Sequence, residues 1–162
     1  MNNHELIMRM IEYETDCPRH IQHFMKVYAF SKMIGEMECI SPEEQEILET
    51  AAIVHDIGIK ESRKKYGDSL GKHQELEGPP IAKNMLEQLG YPEKIISRVC
   101  YLVGHHHTYS NIDGMDYQIL VEADFLVNLY EDQESKESAR TVMERLFVTK
   151  TANNICKTMF AL

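Results

Sequence analysis

Ser41-Pro42-Glu43-Glu44-Gln45-Glu46-Ile47-Leu48-Glu49-Thr50-Ala51-Ala52-Ile53-Val54-His55-Asp56-Ile57-Gly58 is the stretch on which the fold turns. It opens as a helix start, with Ser41 at the N-cap, Pro42 at the first helical position and Glu44 placed to close a capping box. Ile47, Leu48, Ala51 and Val54 then recur at helical spacing and carry the helix into His55-Asp56. Ile57-Gly58 should end it. An ionisable pair thus sits on the last turn of an otherwise apolar helix.

Working outward, the same 3.6-residue period recurs while alternating apolar and polar runs are scarce. Upstream, a first helix is expected from about His4 to Glu14, with Leu6, Met10 and Tyr13 on one face. Asp16-Cys17-Pro18 breaks it, and Pro18 suits the first turn of a second helix reaching about Glu38. Downstream, residues 61–72 read as a polar connection and a short helix is expected near Lys72–Glu77. Gly78-Pro79-Pro80 should then punctuate the chain and restart a helix to Leu89. From Pro92 a helix carrying Ile95, Ile96, Val99, Leu102 and Val103 delivers His105-His106-His107 at its end. Residues 108–115 are expected as a loop. A helix from about Tyr117 to Tyr130 is apolar nearly all round and should be central. Two shorter helices near 135–147 and 151–162 finish the chain. The expectation is one all-α domain over residues 1–162, a bundle of about seven to eight helices.

Composition narrows the function. Seventeen Lys and Arg against 26 Asp and Glu give 17 − 26 = −9 over 162 residues, the wrong sign for tracking phosphates of nucleic acid or docking on anionic membrane. The longest apolar runs are about four residues, against the ~20 a membrane helix needs. Met1-Asn2-Asn3-His4-Glu5 is no secretory leader. Cysteines 17, 39, 100 and 156 are widely spaced without a CxxC pair, a pattern suited to buried thiols of a cytoplasmic protein.

Eight histidines are present, and their placement carries the chemistry. An ionised Asp56 after Ala51–Val54, or Asp124 between Ile119-Leu120-Val121 and Phe125-Leu126-Val127, costs several kcal/mol to bury unless paired or metal-bound. Either alone reads equally as a hydrogen-bonded or capping group. Two such positions, with several His at helix ends, point toward a metal centre. His23 shares a helix face with Val27, Phe30 and Ile34 and should face inward, with His20 a rival on a neighbouring face.

The order His … His-Asp … His … Asp on successive helices resembles the HD-domain superfamily of metal-dependent phosphohydrolases. The matching pieces are His23-Phe-Met-Lys-Val27-Tyr-Ala29, Ala51-Ala-Ile-Val-His55-Asp56-Ile-Gly58, Leu102-Val-Gly-His105-His106 and Glu122-Ala-Asp124. The resemblance spans about residues 19–130, leaving 131–162 as a C-terminal helical extension that either covers the pocket or makes an interface. It implies that His23, His55, Asp56 and Asp124 ligate one divalent transition metal (Fe, Mn, Co, Ni or Zn), and that Asp56, His105 and His106 serve catalysis. The His105-His106 pair would bind a second metal or face the phosphate, with His107 an exposed spare. The implied activity is hydrolysis of a nucleotide or other small phosphorylated metabolite by metal-activated water. A metal-binding regulatory module on the same frame is the alternative, and the full ligand set favours the enzyme. The oligomeric state stays open, a homodimer included.

Three departures from the family pattern stand out. Ile59 replaces a Lys common after His-Asp-Ile-Gly. Gly78-Pro79-Pro80 replaces Gly-Ala. Four residues before Gly78 stands Gln74, where binuclear relatives carry His, and His73 is one residue, or about 100° of helix, out of register. A mononuclear site is the expectation. Of the basic cluster Arg63, Lys64 and Lys65, one residue is a candidate for the non-reacting part of a nucleotide.

Overall fold

The computed structural model describes residues 3–162. Among them are nine helices and no strand: α1 (Asn3–Tyr13), α2 (Pro18–Met37), α3 (Pro42–Val54), α4 (Ile59–Tyr66), α5 (Gly71–Gln88), α6 (Glu93–Val103), α7 (Met115–Glu131), α8 (Lys136–Leu146) and α9 (Lys150–Phe160). No described helix is long and apolar enough to cross a membrane.

The decisive helix begins as its sequence dictates. The Ser41 hydroxyl accepts from the Glu44 amide at 3.2 Å and the Glu44 carboxylate accepts from the Ser41 amide at 3.1 Å, completing the capping box. Ala51, Ala52, Ile53 and Val54 are fully buried, because α3 is wrapped by α1, α2, α6 and α7. α7 is the other central helix. It is buried on nearly every face and packs on α2, α3, α8 and α9. α2, α3 and α7 are therefore in mutual contact, and their shared seam holds the candidate site.

Two segments differ from the sequence expectation. The polar stretch after Gly58 contains α4 rather than a plain connection. Only Ile59 and Ser62 are buried on it, so the apolar signal is too thin to recognise. It is held by Glu61 pairing with Lys64 and Lys65, and by left-handed Gly67 (φ 74°), whose amide donates to the Arg63 carbonyl. Likewise α5 runs unbroken through Gly78-Pro79-Pro80. Prolines in a helix interior remove donors and strain the preceding turn, but here α5 is clasped from both sides. Gly78 lies against Gly58, where a Cβ on Gly58 would meet the Gly78 nitrogen at 2.8 Å. On the other flank the Cys100 thiol donates to the Pro79 carbonyl at 3.5 Å. Tertiary packing overrides the local break. All four cysteines are free, and Cys39 is exposed rather than buried.

Candidate metal centre

His23 comes from the second turn of α2, Asp124 from the middle of α7, and His55-Asp56 from the turn that ends α3. Packing of these three helices brings the four side chains together. His23 Nε2 lies 3.2 Å from His55 Nε2, 3.3 Å from Asp56 Oδ2 and 3.2 Å from Asp124 Oδ1. His55 Nε2 lies 3.4 Å from Asp56 Oδ2 and 3.5 Å from Asp124 Oδ1. His55 is fully buried, His23 and Asp124 nearly so, and Asp56 is 22% exposed at the cavity wall.

Hydrogen bonds on the far side of each ring fix what the near side offers. His55 Nδ1–H donates to the Ala52 carbonyl at 2.8 Å, and His106 Nδ1–H donates to the Val103 carbonyl at 2.9 Å. His23 Nδ1–H donates to Glu131 Oε2 at 3.2 Å, and Glu131 is itself paired with Lys26 at 2.7 Å. In the neutral rings the Nε2 lone pairs therefore point inward at one another and at two carboxylates. His106 Nε2 is buried and makes no hydrogen bond, although Asp56 Oδ1 is 3.3 Å away. Such a concentration of inward lone pairs is satisfied by a cation or by protons. The residues fit a divalent transition metal.

Without a metal the charges respond as expected. Burial opposes the charged form of His55 and His23, yet Asp56 and Asp124 outweigh it and raise both pKa values, His55 strongly. For Asp56 and Asp124 burial is likewise overcome, by the imidazoles, and both carboxyls are held well below the usual range.

The histidine triplet divides differently from the sequence expectation. His106 and His107, with Asp56, form a second group of potential metal donors. His105 turns away: its ring stacks on Tyr101 at 4.1 Å and its Nδ1–H donates to the Tyr101 carbonyl at 2.7 Å. His107 is half-buried rather than an exposed spare, and sits 3.0 Å through Nε2 from Gln74 Oε1. Burial, with His106 beside it, pushes its pKa down to about 4. The register argument at 73–74 holds physically: Gln74 faces the site, while His73 pairs with Asp68 at 2.7 Å and stacks on Tyr66. The rival His20 is not part of the four-residue cluster and pairs with Glu14 instead.

The cluster opens into a cavity of about 560 Å³ lined by Arg19, Arg63, Ser69, Gln74 and Asn128 among others. Lys64 and Lys65 are taken up by Glu61 and Glu77, whereas Arg63 reaches the cavity without a carboxylate partner among the described residues. Sequence reasoning missed Asn128, which donates to Asp124 Oδ1 at 2.9 Å, and Glu131. The signal was present: 124, 128 and 131 are i, i+4 and i+7 on one helix face.

Comparison with known proteins bears on the family and the fold. A family model described as "HD domain" matches residues 20–144. A crystal structure from an uncultured Thermotogales bacterium, described as a predicted HD superfamily hydrolase, aligns with TM-score 0.70 at 22% identity, covering 98% of this chain and 86% of that one. That likeness is one of fold. No curated protein matches the chain.

Proposed function

The chain belongs to the HD-domain family, and from that premise we propose that it is a metal-dependent phosphohydrolase acting on a nucleotide or other small phosphorylated compound. One observation carries the proposal: inward-facing donors of His23, His55, Asp56 and Asp124 meet at the floor of a cavity with arginines on its wall. These four residues would hold one divalent ion. When bound, such an ion supplies Lewis acidity toward a phosphoryl oxygen and acidifies water toward neutrality.

The chain's own groups do the rest. Arg63, and Arg19 against Asp132, offer guanidinium forks to a phosphate in an otherwise acidic cavity. Glu131 and the Ala52 carbonyl keep His23 and His55 in the tautomer that presents Nε2. His106 Nε2 remains available 3.3 Å from Asp56 Oδ1, because its Nδ1 is engaged, and His107 belongs to the same donor group. They are placed to hold the phosphate or to pass a proton to the leaving oxygen.

The test is a panel of nucleotides and small phosphate esters, assayed with Mn, Fe, Co and Zn separately, on the native chain and on Asp124→Ala. Turnover with at least one ion, lost in the variant along with the bound metal, supports the reading. Tight metal binding with no turnover of any phosphate ester would replace it with a regulatory module.

A further inference from the structure

Glu14, Cys17 and His20 lie outside the four-residue cluster, and the proposed reaction does not use them. They come from the bend between α1 and α2. Glu14 follows the last residue of α1, Cys17 is the N-cap of α2, and His20 stands in the first turn of α2. Asp16 in a left-handed conformation (φ 65°) folds the chain back, the Cys17 amide donates to the Glu14 carbonyl at 2.9 Å, and the His20 amide donates to the Cys17 carbonyl at 3.1 Å. The bend thereby gathers three side chains onto one spot.

One donor atom from each residue lies within 4.8 Å of the other two. The Glu14 carboxylate is 5% exposed and sits 3.0 Å from His20 Nδ1. That contact accounts for those two residues but not for the third. The Cys17 thiol makes no capping bond to α2, and it is turned toward the carboxylate and imidazole. Sulfur, imidazole nitrogen and carboxylate oxygen together form a donor set suited to zinc and its neighbours, in contrast to the thiolate-free cluster on the cavity floor.

We propose that Glu14, Cys17 and His20 form a second metal site, for a zinc-like divalent ion, with its open coordination position directed into the cavity. Cys17 and His20 line the same cavity as His23, Asp56 and Asp124, whereas Glu14 closes the site from behind. His20 precedes His23 by three residues on α2, a rise of about 4.5 Å. The ion stands near the floor cluster yet shares no ligand with it. Its charge gives an acid-lined cavity a second point of attachment for an anion.

The experiment uses the full chain stripped of metal and titrated with Co²⁺, reading thiolate-to-cobalt charge-transfer absorption, with bound zinc counted in parallel by elemental analysis. The expected result is a zinc equivalent beyond those of the floor cluster, accompanied by the charge-transfer band. Cys17→Ser removes the band and that one equivalent, and serine is a good N-cap, so the start of α2 is retained. Asp124→Asn weakens the floor site and leaves the band in place, and His20→Gln removes the extra equivalent without touching the floor site. No band in the native chain, or a band that survives Cys17→Ser, would overturn the proposal. Neither result depends on whether any phosphate ester turns over.

Discussion

In the metal-free protein His23 and His55 hold their protons more tightly than a free imidazole does, because Asp56 and Asp124 face them. The stability this contributes is full below an unfolded pKa of about 6.5 and is lost as pH rises through the raised values. The depressed Asp56 and Asp124 contribute stability above an unfolded pKa of about 3.9, lost as pH falls through their lowered values. A metal requires neutral imidazoles, so binding expels protons and tightens as pH rises through those raised values. Calorimetry in buffers of different ionisation enthalpy should show net proton release near neutrality; a zero count would mean the imidazoles are already neutral. Within the triplet, His106→Ala and His107→Ala should lower turnover by about 10²–10⁴-fold. His105→Ala should leave the reaction intact and cost about 1 kcal/mol of stability through the lost Tyr101 stack. Measuring kcat beside a denaturation midpoint for all three separates these roles.

At the scale of elements, the Gly58–Gly78 crossing sets how α4 and α5 approach the cluster. A Cβ on Gly58 would meet the Gln74 carbonyl at 2.5 Å and the Gly78 nitrogen at 2.8 Å, both backbone atoms that cannot swing aside. Gly58→Ala should therefore destabilise by about 1–3 kcal/mol. It should also displace Gln74, and His107 with it, so that metal content stays near native while turnover falls. Urea denaturation with elemental analysis of the same sample checks both parts. The triplet is set from its other end by Tyr117, whose hydroxyl donates to the His105 carbonyl at 2.7 Å and also bonds the Thr108 carbonyl. Arg98 of α6 grips Asp116 of α7 at 2.7 Å and holds that corner closed.

For the whole molecule, the C-terminal helices act as a brace. Nothing after Asp132 lines the cluster cavity, so α8 and α9 do not cover it. They pack on α7, and α9 also reaches α2. The brace is pinned by Glu122, which is fully buried on α7. Its carboxylate accepts from the Thr149 hydroxyl at 2.6 Å, the Thr149 amide at 3.0 Å and Gln118 Nε2 at 2.9 Å. Glu122→Ala leaves those donors unpaired and should cost about 3 kcal/mol or more. Metal affinity should fall far less than stability, because Asp124 keeps its own neighbours. A chemical-denaturation curve read with a metal titration distinguishes this from a direct role in binding.

Helical period, the capping box at Ser41–Glu44 and the apolar runs around His55 and Asp124 were enough to establish an all-α bundle with α3 and α7 at its centre, because these signals are local and repeat within one or two turns. That Asp56 and Asp124 need partners was also legible, since each is a charge in an apolar run, while the grouping of His23 and His55 with them came from the resemblance to the HD-domain superfamily. What only the tertiary structure decided depends on contacts between distant segments. α4 has too few buried residues to show a stripe, and α5 survives two prolines because its neighbours clasp it. Which histidines of 105–107 face the cluster was settled by the turn after α6, where the two-residue step from His105 to His107 exchanges Tyr101 for Gln74 as the partner. Sequence spacing fixes rotation along a helix, but once the helix has ended, the direction of a side chain belongs to whatever packs against it.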